Sequence, residues 1–236
     1  MPPQCKVAAA FLFVCAVVAA PREEVWVYAG FAVMLLALGR VARITPLFIA
    51  RRLVIEIPFI LFAIFLPFLA GGERMQVLGL SLSVPGLWAA WNIVVKATLG
   101  VGTTILLGAT TTIAEILHGL ERLRMPRVIV AIAHFMVRYA DVITGEMKRM
   151  KIARESRGYS PRWFWHVRAI ASSIGLLFIR SYERGERVYL AMVSRGYDGA
   201  VPLFETRGPT LLEWSAALAL PASAAALASI AWALSA

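Results

Sequence analysis

Apolar residues in this chain gather into long blocks, where a soluble core would interleave them with polar positions. Five blocks stand out, at about 7–20, 25–39, 54–70, 87–109 and 211–235. Runs such as Val7–Ala20 and Leu211–Ala236 carry almost no charge, and a helix needs about 20 apolar residues to cross a bilayer. The first two blocks are shorter than that, and only Pro21-Arg22-Glu23-Glu24 parts them. They read as two short helices or as one shallow hairpin. Elsewhere the separators are clear: Arg40, Arg43, Arg51 and Arg52 in one, then Gly71-Gly72-Glu73-Arg74 and Pro85-Gly86 in the next.

Between 110 and 210 the pattern changes. Ile129, Ile132, Met136, Tyr139, Ile143, Met147 and Met150 recur at helical spacing over 127–157. A second stripe over 169–195 runs through Ile170, Ile174, Leu177, Val188 and Met192, with Arg180, Arg184 and Arg187 between them. Both predict amphipathic helices, able to lie along a membrane face or to offer one side to another protein. No stretch gives a strand signal. The expected fold is an all-α integral membrane protein: spans within 1–109, a cytoplasmic helical section over 110–210, and a last span in 211–236.

Composition agrees, since 60% of the 236 residues are hydrophobic, more than a soluble chain of this length can hide. The formal charge of +10 adds an orientation. With the N-terminus inside, the segments 1–6, 40–53 and 110–210 are cytoplasmic and hold 21 of the 24 Lys and Arg residues. The positive-inside rule therefore predicts N-terminus in and C-terminus out. Lys6 followed by Val7–Ala20 also has the outline of a signal peptide, but Pro21 is a poor residue after a cleavage site, so retention as an anchor is expected. Cys5 and Cys15 imply neither a disulfide framework nor a thiolate metal site.

Catalytic chemistry finds no footing. No Gly-x-x-x-x-Gly-Lys-[Ser/Thr] loop and no His-Glu-x-x-His pair occur, and His118, His134 and His166 match no metal-ligand spacing. Lys96 and Asn92 lie inside the fourth block, where a charge marks a functional candidate, although a lysine there can also snorkel or meet a subunit. Glu56 sits near the other end of its span, too far to pair with Lys96. Gly100, Gly102 and Gly108 would let helices approach closely in lipid. In 110–210 sixteen basic residues alternate with nine acidic ones and form no nucleic-acid module; anionic headgroups suit that excess better.

One tetrapeptide occurs twice, as Ser156-Arg157-Gly158-Tyr159 and Ser194-Arg195-Gly196-Tyr197. Each copy closes an amphipathic stripe, where the glycine fits the left-handed position that stops a helix, and Pro161 follows the first copy. A cap alone needs no repeated Ser and Tyr. Two matched arginines at neighbouring helix tips suit two equivalent acidic clefts on a dimeric partner, because the planar guanidinium stays charged and bonds in pairs.

Around these motifs the chain resembles the transmembrane T component of energy-coupling factor (ECF) transporters, most of all the cobalt-type CbiQ branch. The likeness rests on Arg138-Tyr139 with Glu146 downstream, Ala153-Arg154-Glu155-Ser156-Arg157-Gly158-Tyr159, Phe178-Ile179-Arg180-Ser181-Tyr182-Glu183-Arg184, Arg187-Val188-Tyr189-Leu190-Ala191-Met192 and Ser194-Arg195-Gly196-Tyr197-Asp198-Gly199. The family's signature is usually Ala-Arg-Gly, and serine replaces the alanine in both copies here. The resemblance implies two coupling helices whose ends, Ser156-Arg157-Gly158 and Ser194-Arg195-Gly196, each dock into one of two ABC ATPase subunits. Arg138, Tyr139, Glu146, Arg154, Arg180, Glu183, Arg184 and Arg187 would support those helices. ATPase closure would pass motion to a separate substrate-binding membrane subunit in a bacterial inner membrane, for cobalt or nickel uptake. ATP and Mg²⁺ would be bound by the ATPases, and no cofactor by this chain. Vitamin uptake is the alternative cargo, a self-contained transporter or channel the alternative function, and a membrane enzyme the third.

Overall fold

The computed structural model describes residues 1–22, 24–71, 73–77, 80–159, 167–198 and 208–235. Glu23, Gly72, Pro161, His166 and Gly199 lie outside the described residues. The chain divides into two compact units, 1–123 with 207–236, and 124–206.

In the first unit every apolar block becomes a helix, namely α1 (Pro3–Ala19), α2 (Val25–Val41), α4 (Ile57–Leu69), α5 (Val84–Thr110) and α9 (Leu211–Ser235), while α3 (Pro46–Arg52) forms within a separator. A 3-10 turn at Leu53–Glu56 joins α3 to α4, so that 23 residues from Leu47 to Leu69 form one apolar stretch. α1 and α2 are separate helices of 17 residues each. At 1.5 Å per residue each reaches about 25 Å, short of a hydrocarbon core of about 30 Å.

α6 (Ile113–Arg122) also belongs to this unit. Thr112 and Glu115 close its start with a capping box. Gly119 brings it so near α1 that a Cβ would stand 3.1 Å from the Gln4 nitrogen.

Expecting no strands is incorrect. Arg74–Val77 (β1) and Leu80–Ser83 (β2) pair antiparallel, with Arg74 opposite Ser83 and Val77 opposite Leu80. The alternation in Leu80-Ser81-Leu82-Ser83 is too brief to stand out from a separator by period alone.

Buried Phe13, Val17, Val27, Phe31 and Leu35 form the centre of the helical core, and the Phe13 and Phe31 rings meet edge to face at 5.9 Å. Ala16 and Ala20 of the α1 segment and Ala224, Ala228 and Ala231 of α9 belong to the same cluster. Small residues let backbones approach where lipid supplies no hydrophobic drive. The three glycines read as packing sites behave differently from one another. A Cβ at Gly102 would stand 3.7 Å from Leu35, an ordinary contact, whereas at Gly100 and Gly108 it would meet open space. The closest approach is instead at Gly86, where a Cβ would stand 2.8 Å from the Leu66 carbonyl and the Pro67 Cα. Gly86→Val is therefore expected to force α4 from α5 and lower thermal stability by about 1–3 kcal/mol, read as a shift in Tm in detergent.

Lys96 and Asn92 now have partners. α1 stops at an extended Ala20, leaving carbonyls with no helical donor. The Lys96 ammonium donates to the carbonyls of Val18 (2.8 Å) and Ala20 (3.0 Å). The Trp232 indole N–H donates to Ala19 (2.9 Å), and the Tyr28 hydroxyl lies 3.2 Å from the Ala20 carbonyl and 3.3 Å from the Asn92 amide oxygen. A cation at a helix C-terminus is also favourably placed against the helix dipole. Lys96→Met is expected to cost about 1–3 kcal/mol through the carbonyls it strands, again read as Tm. Glu56 is buried and accepts from the Thr98 hydroxyl at 2.9 Å, so it meets α5 two residues from Lys96, nearer than the expected separation.

The second unit contains α7 (Arg127–Glu155) and α8 (Val167–Val193), close to the two predicted stripes. Four described helical stretches are long and apolar enough to cross a membrane: Leu47–Leu69, Val84–Thr110, Arg127–Glu155 and Leu211–Leu234. The third was read as an amphipathic cytoplasmic helix. It qualifies because its charges are concentrated late, with Glu146, Lys148, Arg149, Lys151, Arg154 and Glu155 all in the last ten residues. The protein is a multi-pass, predominantly helical membrane protein.

Candidate functional site

The repeated tetrapeptide forms the same structure twice. Gly158 has φ +77° and Gly196 has φ +85°, the left-handed conformation that favours glycine. In the first copy the Tyr159 N–H donates to the Arg154 carbonyl (3.1 Å) and the Gly158 N–H to the Glu155 carbonyl (3.0 Å). In the second, the Tyr197 N–H donates to Met192 (3.0 Å) and the Gly196 N–H to Val193 (2.9 Å). This six-to-one, five-to-two pair is the Schellman motif.

The serine hydroxyls turn back to the helix as well, Ser156 to Ile152 (2.9 Å) and Ser194 to Ala191 (3.0 Å). Arg157 and Arg195 occupy the last residue before each left-handed glycine and are exposed, while Tyr159 and Tyr197 are half-buried. Each tip thus presents its arginine on a turn closed over six consecutive residues, Arg154–Tyr159 and Met192–Tyr197.

Behind the first tip, side chains tie α7 to α8. Glu146 is the hub. One carboxylate oxygen accepts from Arg180 of α8 at 2.9 Å, and the other accepts from Arg149 at 2.9 Å and lies 3.8 Å from Arg184.

Nearer the tip, the Arg154 guanidinium donates to the Ser173 hydroxyl of α8 at 2.7 Å and stacks over the Tyr159 ring at 5.7 Å.

The sequence-predicted support residues divide accordingly. Glu146, Arg180 and Arg184 come together, and Arg154 reaches across to α8. Tyr139 stacks on Phe135 at 6.4 Å within α7. Arg138, Glu183 and Arg187 are exposed and take no part in the cluster. Two contributors were not singled out. Arg149 was legible as an i+3 neighbour of Glu146, whereas Ser173 carries no signal, since only the crossing of the helices places it. Among the described residues no group of His, Cys, Asp and Glu is arranged to hold a metal ion.

The family model for the cobalt transport protein CbiQ matches residues 1–205. A putative fused cobalt transport protein CbiMQ of Methanocorpusculum labreanum is 27% identical over 75% of this chain and 31% of its own length. The cobalt transport protein CbiQ of Rhodobacter capsulatus is 28% identical over 55% of this chain and 53% of its own. The energy-coupling factor transporter transmembrane protein EcfT of Listeria innocua is 28% identical over 56% and 54%. The matched region covers less than two-thirds of the length of each of these relatives. The family match takes in both helix tips, and with it the chain belongs to the CbiQ/EcfT family, the non-catalytic transmembrane components of ECF transporters.

Proposed function

We propose that this chain is the coupling component of an ECF importer for cobalt or nickel ions, carrying motion from two ABC ATPase subunits to a separate substrate-binding membrane subunit. The observation that carries the reading is the duplicated tip: one tetrapeptide, two helices, the same Schellman geometry and two exposed arginines. Nothing in a helix cap requires an arginine at that point twice. Paired sites on one chain suit a partner that is itself a pair.

Sidedness follows from charge. α8 carries Arg180, Glu183, Arg184, Glu186 and Arg187 in its middle and cannot cross hydrocarbon. The late half of α7 is bridged to it through Glu146, so we place both tips on one aqueous face. The positive-inside rule makes that face cytoplasmic, with the N-terminus inside and the C-terminus outside. Membrane-surface contact with anionic headgroups suits the remaining basic residues.

The choice of cobalt or nickel over a vitamin is supported by the family matched and by the cobalt-named relatives. The test is purification of the tagged chain in mild detergent from its native host, with mass spectrometry of what stays bound. Two ATPase copies and a second membrane protein are expected. A chain that purifies alone, with ATP and lipid present, would overturn the reading and favour a self-contained transporter.

A further inference from the structure

The two tips share a tetrapeptide but differ in the residue behind it. The position whose carbonyl receives the six-to-one bond is Arg154 in the first copy and Met192 in the second. Methionine has no donor. Arg154 uses its side chain three ways at once: a charged hydrogen bond across to Ser173 on α8, a stack over Tyr159, and a buried Nε that finds no partner among the described residues.

That last detail argues for constraint. An arginine free to move would extend its head into water rather than leave a donor desolvated, which is costly. Here the guanidinium is held between the turn it closes and the neighbouring helix. The brace lies three residues from Arg157, less than one helical turn.

We propose that Arg154 is a positioning residue that fixes the Arg157 tip to the second turn of α8, so that a force applied at this tip is delivered to both helices. This rests on the docking reading above. The Arg195 tip, with Met192 at the matching position, lacks this particular strut. The two copies are therefore alike in what they present and unlike in how they are braced: the first tip is tied to α8 at Ser173, nearer to it than the Glu146 bridges.

The test uses the complete complex, assembled with its ATPases and membrane subunit in liposomes, and reads ion uptake per ATP hydrolysed. Arg154→Met gives the first tip the residue of the second. ATPase co-purification is expected to stay at wild-type level while uptake per ATP falls about tenfold, the equilibrium weight of one hydrogen bond to a charged group. Ser173→Ala should reproduce the loss, the double variant should be no worse than either alone, and Arg154→Lys should recover part of it.

Spin labels at Lys151→Cys and Leu176→Cys, with Cys5 and Cys15 replaced by serine, should show a distance distribution that broadens in Arg154→Met. Unchanged coupling in Arg154→Met, or losses that multiply in the double variant, would overturn the proposal while leaving the docking reading intact. A wild-type chain that holds no ATPases would remove the docking reading, and this inference with it.

Discussion

Replacing Arg157 and Arg195 together with glutamate is expected to release the ATPase subunits from the complex and abolish uptake. Each arginine stands on a helix end with its guanidinium exposed, so the free chain makes little internal use of either charge. Folding should be unchanged, and circular dichroism should match the wild type. In a docked state the same guanidinium would be buried among acceptors. Loss of one partner of a buried, hydrogen-bonded charge pair costs about 2–5 kcal/mol, much of it for the group left behind. Charge reversal adds repulsion. Arg157→Glu or Arg195→Glu alone should weaken association at one of the two sites and leave a partly loaded complex, measurable as ATPase copies per chain in native mass spectrometry. Full loading in the double variant would show that the arginines are only caps.

Valine at Gly158 or Gly196 should be nearly as damaging with both arginines in place. At φ values of +77° and +85° an L-residue loses about 1–2 kcal/mol, and a β-branched one is a stronger outlier still. The turn relieves this by leaving the left-handed region, which breaks both bonds of the motif and redirects the preceding arginine. ATPase binding is expected to weaken about tenfold. Asparagine at the same positions, which tolerates the left-handed conformation, should restore most of it. Equal loss with asparagine and valine would mean that the absent side chain matters at these sites, and the backbone angle does not. Co-purification of the ATPases from each variant settles the comparison.

Much of this was legible in the residues because the signals are local. Block length and charge spacing indicated α1, α2, α4, α5 and α9, and the two stripes indicated α7 and α8. Gly158 and Gly196 announced their own conformation, since a glycine after a final arginine has few other reasons to be there. What stayed hidden depends on where distant segments meet. Ser173 is an ordinary helical serine until α7 lies beside it. Lys96 reads as a stray intramembrane charge until the end of α1 arrives with carbonyls to satisfy. The strands at Arg74–Val77 and Leu80–Ser83 are four residues each, below the length at which alternation separates from chance. The late clustering of charge in α7 leaves its first half long and apolar enough to qualify as a span, which periodicity alone had read as one amphipathic face.

Two lysines at opposite ends of α1 give that helix a further property. Lys6, in the first turn of α1, donates to the Thr110 carbonyl at the end of α5 at 2.9 Å, and Lys96 of α5 reaches back to the carbonyls of Val18 and Ala20. The two helices run antiparallel, spiked together like rails some 14 residues apart, roughly 21 Å along the axis. Sliding one past the other by a single turn, about 5.4 Å, would break both fastenings at once. The pair is accordingly fastened against sliding, since a one-turn slip must give up both ends together.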